Sequence, residues 1–149
     1  MKKIIAYAAG SCLGNPGVGG YASFMTADGK TRKACGTCKK QTTNNGVALY
    51  ACLSILLWLN KYQKEPCEVV INTTSDYVVK VSKKTYRELF DKERKNSDLW
   101  QAIVRERNKG NHKIIFQKAD KTTNADLKDQ AYKLAHEMAV KARHEVYCK

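Results

Sequence analysis

The chain has 149 residues, 43% of them apolar, which supplies one core and falls short of the ~250–300 residues at which chains divide. That composition excludes a disordered tail, and no stretch approaches the ~18 uninterrupted apolar residues of a membrane helix. Twenty-seven Lys and Arg against 14 Asp and Glu leave a net charge of +13, which points to a polyanion, nucleic acid before an anionic membrane.

Lys3–Ala9 reads as a strand, and Ser11–Gly20, rich in Gly and Pro, as a turn. Gly20–Thr26 and Thr31–Lys40 read as two strands joined through Asp28-Gly29, a hairpin signal. Thr43–Asn60 is apolar nearly all round, which predicts a helix buried in the core. Glu68–Thr73 is a short apolar strand, after which Ser75 and Asp76 offer N-cap chemistry for a helix carrying Tyr77, Val78 and Val81. Residues 80–95 are polar and basic, with Lys83, Lys84 and Arg87 among their cations. Asp98–Asn108 is a helix, Lys113–Gln117 a strand, and Ala125–Val146 a last helix with Leu134, Ala135, Met138 and Ala142 on one side. The order predicts an α/β fold, a five-stranded mixed sheet with helices on both faces, in one domain spanning 1–149.

The first residues lack the long apolar run of a secretory signal, so the expected location is cytoplasmic. The six cysteines (Cys12, Cys35, Cys38, Cys52, Cys67, Cys148) are then expected as reduced thiols. Cys35-Gly-Thr-Cys38 has the spacing of half a zinc site or of a redox pair. No second CxxC or HxxxH completes a cluster, so the pair reads as structural.

The segment Gly10-Ser11-Cys12-Leu13-Gly14-Asn15-Pro16-Gly17-Val18-Gly19-Gly20 closely resembles the first-strand signature of type 1 ribonucleases H, D-G-S-C-x-G-N-P-G-x-G-G. Thr42-Thr43-Asn44-Asn45 is similar to the T-T-N-N that opens that family's central helix. Thr73–Val78 stands where the family has T-D-S-x-Y-V, Asp98-Leu99-Trp100 matches its D-L-W, and Leu134-Ala135 falls on the L-A of its last helix. The resemblance covers nearly the whole chain and implies the RNase H-like fold.

Such enzymes cut the RNA strand of an RNA–DNA hybrid with two divalent ions held by four carboxylates. The positions this implies are Ala9, Ala48, Thr74 and Tyr132 here, none of them acidic. Hard cations need carboxylate oxygens. The expectation is therefore a pseudoenzyme, with no catalytic residue, metal or other cofactor. A nuclease using the displaced acids Asp76, Asp120 and Asp129 is the alternative that keeps activity. The histidine that assists turnover in the family's mobile loop has no counterpart among His112, His136 and His144, which read as exposed side chains.

What the resemblance retains is binding machinery. Gly10, Ser11, Cys12, Asn15, Asn44 and Asn45 resemble the groove that contacts 2′-hydroxyls of the RNA strand. An amide both donates and accepts, as a 2′-hydroxyl does. The plainer alternative is that the glycines and Asn15 shape a turn while Thr43 and Asn44 cap a helix. Lys83, Lys84 and Arg87 stand where some relatives carry a basic substrate handle, and they are expected to meet phosphates. The partner expected is RNA–DNA hybrid or double-stranded RNA. A protein-interaction scaffold built on the same fold is the second class of function; +13 argues against it. No aromatic-anchored amphipathic segment points to a membrane. A second basic cluster, Lys30, Arg32, Lys33, Lys39 and Lys40, has no role in either reading.

Overall fold

The computed structural model describes residues 2–84, 88, 95–119 and 125–147. β1 (Lys2–Gly14), β2 (Gly17–Ala27) and β3 (Lys30–Thr42) form an antiparallel meander. α1 (Asn44–Tyr62) then crosses to β4 (Cys67–Thr73), which lies parallel to β1. α2 (Asp76–Ser82) and α3 (Ser97–Lys109) lead to β5 (Lys113–Lys118), parallel to β4, and α4 (Ala125–Tyr147) follows. The strand order β3-β2-β1-β4-β5 puts β1 at the centre of a mixed sheet. The expected five strands are present.

The two-residue period of β1 divides the interior. Ile4, Ala6 and Ala8 face α1 in the larger core, which also takes in Val69 and Ile71 of β4, Val78 of α2 and Trp100 and Ile103 of α3. Tyr7 and Ala9 face the other way, toward Ala131 and Ala135 of α4. Helices thus cover both faces. The start of α1 is fixed by Thr43, whose Oγ1 accepts from the Gly46 N–H at 3.1 Å. Ser75 does the same for α2, accepting from Val78 N–H at 3.2 Å. α1 and α3 are tied by Asn60, whose Nδ2 donates to the Glu106 carbonyl at 2.7 Å and to its carboxylate at 2.9 Å.

Three expectations need correction. The Gly-rich segment is mostly strand, with only Asn15-Pro16 in the turn, because its glycines serve close packing more than unusual backbone angles. A Cβ on Gly10 would stand 2.8 Å from the Val47 backbone and 2.9 Å from Ala48 N, and one on Gly20 would stand 2.5 Å from the Ala135 carbonyl oxygen. The buried side of α4 is the alanine row Ala131, Ala135, Ala139 and Ala142, with Leu134 and Met138 half-buried at its flanks. A helix lying this close over Gly20 has no room for larger side chains. α1 is not buried all round either, since Tyr50 and Leu57 are exposed. Arg87 lies outside the described residues.

Gly20 and Gly29 make a test of this packing. Gly20→Ala should lower the free energy of unfolding by about 1–3 kcal/mol through overpacking against the α4 backbone. At Gly29, where φ is +73° and nothing lies within 4 Å, the alanine variant should lose only about 1 kcal/mol from backbone strain. Urea denaturation of both variants measures the difference.

Candidate nucleic-acid interface

The end of β1 and the start of α1 meet through two polar ties. Asn15, in the β1–β2 turn, accepts from the Asn44 N–H with its side-chain oxygen at 3.2 Å. Cys12 Sγ lies 2.8 Å from the Gly14 carbonyl and 3.4 Å from that of Thr42, joining the turn to the end of β3. Burial pushes the Cys12 thiol up, against a lowering contribution from its hydrogen bond with Gly17. The side chains of Asn44 and Asn45 remain exposed beside this junction. Ser11, one residue earlier on β1, is turned to the opposite face, where its Oγ lies 3.4 Å from His136 Nδ1 on α4. Gly10 seats α1 against β1. The structure thus gathers Gly10, Cys12, Asn15, Asn44 and Asn45, while Ser11 belongs to the α4 side.

Ala9, Thr74 and Tyr132 converge on one small cleft between the ends of β1 and β4 and the start of α4. Asn72, Lys128 and Ala131 complete its wall. Ala9 is buried, Thr74 is exposed at the end of β4, and Tyr132 stands largely in solvent at 56% exposure. Ala48 is not among the lining residues; it packs under Gly10 in the α1 core. Asn72 is held on both sides, donating to the Ala6 carbonyl at 3.2 Å and accepting from Gln117 at 3.1 Å. Among the described residues, the cleft's lining therefore carries one ammonium group and no carboxylate.

Of the displaced acids, Asp76 is engaged by Lys118 at 2.8 Å, and the same ammonium donates to the Thr74 carbonyl at 2.7 Å. Asp129 is exposed on α4, on the patch it shares with Tyr132 and His136. Asp120 lies outside the described residues. Two divalent ions of the kind the resemblance implies need clustered carboxylates. The cleft offers alanine, threonine, tyrosine and lysine, and among the described residues no three His, Cys, Asp or Glu side chains gather. These residues do not fit such a pair of ions.

A wider polar hollow adjoins the start of α1, lined among others by Thr43, Lys39, Lys40, Asn96 and Asp98. Asn96 adopts the left-handed conformation ahead of α3, with φ of 61°. Its Nδ2 donates to the Tyr77 hydroxyl at 3.3 Å, which also accepts from Trp100 Nε1 at 3.1 Å. Sequence reasoning passed over Asn96 and Lys128. For Lys128 the signal was available, since it lies one helical turn before Tyr132. Lys83 and Lys84 stand at the end of α2 and line none of these hollows; Lys84 pairs with Glu88 at 3.5 Å. Cys35 and Cys38 lie on one strand three residues apart, opposite Ala22 and Gly19, so their side chains leave opposite faces. That arrangement accords with a structural reading of the pair.

A mixed five-stranded sheet with this helix arrangement defines the class. The RNase H family model matches residues 1–144, and the chain belongs to the RNase H family. A ribonuclease H from Acetivibrio thermocellus is 33% identical over 144 residues, covering 91% of this chain and 93% of that protein. One from Aeromonas hydrophila is 41% identical over 111 residues, 69% of each. Among solved structures, LC11-RNase H1 in complex with RNA/DNA hybrid superposes with a TM-score of 0.77 at 23% identity, covering 93% of this chain and 98% of that one. The kinship corrects one expectation outright. Relatives at 33–41% identity bear the name ribonuclease H, which points to an active nuclease and overturns the reading of the chain as a pseudoenzyme. The vacated positions Ala9, Ala48, Thr74 and Tyr132 specify which ligands one arrangement lacks; they do not specify what reaction the whole groove carries.

The cysteines report on the site's packing. Among the described cysteines, Cys35, exposed on β3, should react first with iodoacetamide at pH 8. Cys12 should lag because burial raises its pKa, and Cys38 and Cys52, pushed up to about 11 and about 12, should label only on unfolding. Peptide mapping by mass spectrometry gives the order; early labelling of Cys12 would contradict the tied turn.

Proposed function

We propose that the chain, acting as one domain over 1–149, binds RNA–DNA hybrid along the junction of the β1–β2 turn with the start of α1. Gly10, Cys12, Asn15, Asn44 and Asn45 form the face for the RNA strand, with Ser11 on the opposite side of β1, and Lys83, Lys84 and Arg87 supply cations for phosphates of the DNA strand. The observation that carries this reading is the bond from Asn44 N–H to Asn15 Oδ1. It joins two segments into one edge and leaves the Asn44 and Asn45 amides open to solvent, suited to a 2′-hydroxyl. Family membership supports the reading, as does the hybrid held by LC11-RNase H1.

Binding proceeds without divalent ions. Clustered carboxylates beside a phosphate backbone repel it unless a metal neutralises them. The cleft at Ala9, Thr74 and Tyr132 presents Lys128 instead, so no such repulsion has to be screened. Double-stranded RNA, which also displays 2′-hydroxyls, is the second substrate this face suits.

Fluorescence anisotropy with labelled hybrid, double-stranded RNA and double-stranded DNA, in EDTA and in Mg²⁺, tests the proposal. The expected result is tighter binding of hybrid or double-stranded RNA than of DNA duplex, equal in both buffers. Combining Asn15→Ala with Asn45→Ala should weaken it about tenfold, the effect of one to two lost hydrogen bonds. Equal affinity for all duplexes, or binding only with Mg²⁺, would contradict it.

The relatives' names favour a second reading, ribonuclease H activity of this chain itself. Among the acids considered for it, Asp129 stands free of the Lys118 pairing that holds Asp76. RNA-strand cleavage on a gel, lost in Asp129→Asn with hybrid affinity retained, is the result expected of it; cleavage undiminished in that variant would remove Asp129 from the reading.

A further inference from the structure

The cluster Lys30, Arg32 and Lys33 takes no part in the hybrid groove. Two of its members border a separate hollow at the other end of α1. Antiparallel register sets Lys30 opposite Ala27 and Arg32 opposite Met25, on the face of the sheet that α1 covers. Lys2 and Asp28 close one side, and Trp58 of α1 and Gln63, just past its end, close the other. At a rise of about 1.5 Å per residue, Trp58 lies roughly 20 Å along the helix from the cap at Thr43. The Asn15–Asn45 edge and this hollow thus stand at opposite ends of α1.

The chemistry of the hollow is cationic and aromatic together. Its one lining carboxylate, Asp28, is neutralised by Lys2 at 3.3 Å. Among the described residues Lys30 and Arg32 make no ion pair, so both remain available to an incoming anion. Trp58 is half-exposed and pairs with Tyr62 at 5.7 Å between ring centroids. Tyr62 is 58% exposed, and Lys61 Nζ stands 5.2 Å from its ring. A buried aromatic pair is ordinary core packing. Trp58, the ring of this pair that lines the hollow, packs partly against the core and offers the rest of its surface beside Lys30 and Arg32. The hollow, about 230 Å³, is smaller than the ~300 Å³ at which pockets begin to take drug-sized ligands, so it suits a single ring system.

We propose that this hollow is a second nucleic-acid site, which takes an unpaired base against Trp58 and its flanking phosphates on Lys30 and Arg32. The ligand class is single-stranded RNA or DNA, because bases in a duplex keep their faces stacked on one another and offer none to a protein ring. Stacking carries the contact, and every base has a π-face, so the site tolerates different sequences. It stands on geometry separate from the hybrid groove and does not depend on that reading.

The full-length chain carries its own reporter. Trp100 is buried at 1% exposure, which leaves Trp58 as the tryptophan that a ligand can reach. The chain is titrated with oligothymidylate and oligouridylate of about 15 nucleotides, a length single-strand sites span, while tryptophan emission is followed. Saturable quenching is expected, and it should persist under an excess of blunt-ended RNA–DNA hybrid. Lys30→Ala with Arg32→Ala should weaken it about tenfold, with an unchanged circular dichroism spectrum and unchanged hybrid affinity. Trp58→Phe should abolish the quenching while anisotropy of a labelled oligonucleotide still reports binding. Complete displacement by hybrid would place the strand in the groove and overturn the proposal. So would unchanged affinity in the Lys30/Arg32 double variant, or equal displacement by polyglutamate, which would mark a surface for acidic polypeptides.

Discussion

The functional half of this molecule depends on how closely two helices approach opposite faces of one strand. β1 alternates small side chains toward both of them, Ala6, Ala8 and Gly10 on the α1 side and Ala9 and Ser11 on the α4 side. With no Cβ at Gly10, the α1 backbone rests on the strand, and the alanine face of α4 meets Gly20 in the same way. Interiors packed at this density leave no slack for a methyl group. The closeness fixes the level at which α1 begins, and so brings Asn44 within reach of the Asn15 side chain. The binding edge is a consequence of packing two layers below it.

Charge is layered onto this frame unevenly. Among the described residues, the cleft at the junction of β1, β4 and α4 holds Lys128 as its one charged lining group, while Asp76 is neutralised by Lys118. A surface of +13 attracts a phosphate backbone over a range set by salt. Further cations lie at the far end of α1, among aromatic rings. The separation matters physically: roughly 20 Å exceeds the Debye length at physiological salt, so the two regions act as independent fields.

Much of the architecture was legible because its signals are local. Alternation in the first strands, the Asp28-Gly29 hairpin, and the Thr43 and Ser75 caps each specify an element without reference to the rest. The misreadings share one cause. A glycine needed for a turn and a glycine needed for close packing look the same in sequence, so Gly19 and Gly20 read as part of a turn. Of the side of α4 read as apolar, Ala135 and Ala142 are buried, while Leu134 and Met138 are only half-buried. Here the approach of the helix to Gly20 selects alanine. The junction of Asn15 with Asn44 was anticipated in its residues, though not in the contact that joins them. Asn96 was missed because its place depends on α3 meeting α1 across Tyr77 and Gly46, a tertiary relation with no local signal. The functional class was misjudged for a different reason: four side-chain identities were weighed above whole-chain kinship.

Amide hydrogen exchange of the full chain, with and without a blunt RNA–DNA hybrid in EDTA, bears most directly on where the substrate lies. Protection concentrated at Gly10–Asn15 and Asn44–Ala48, with little change along β5, is the result expected if the β1–α1 junction is the RNA-strand face. Protection centred on β5, or spread evenly over the basic surface, would contradict it.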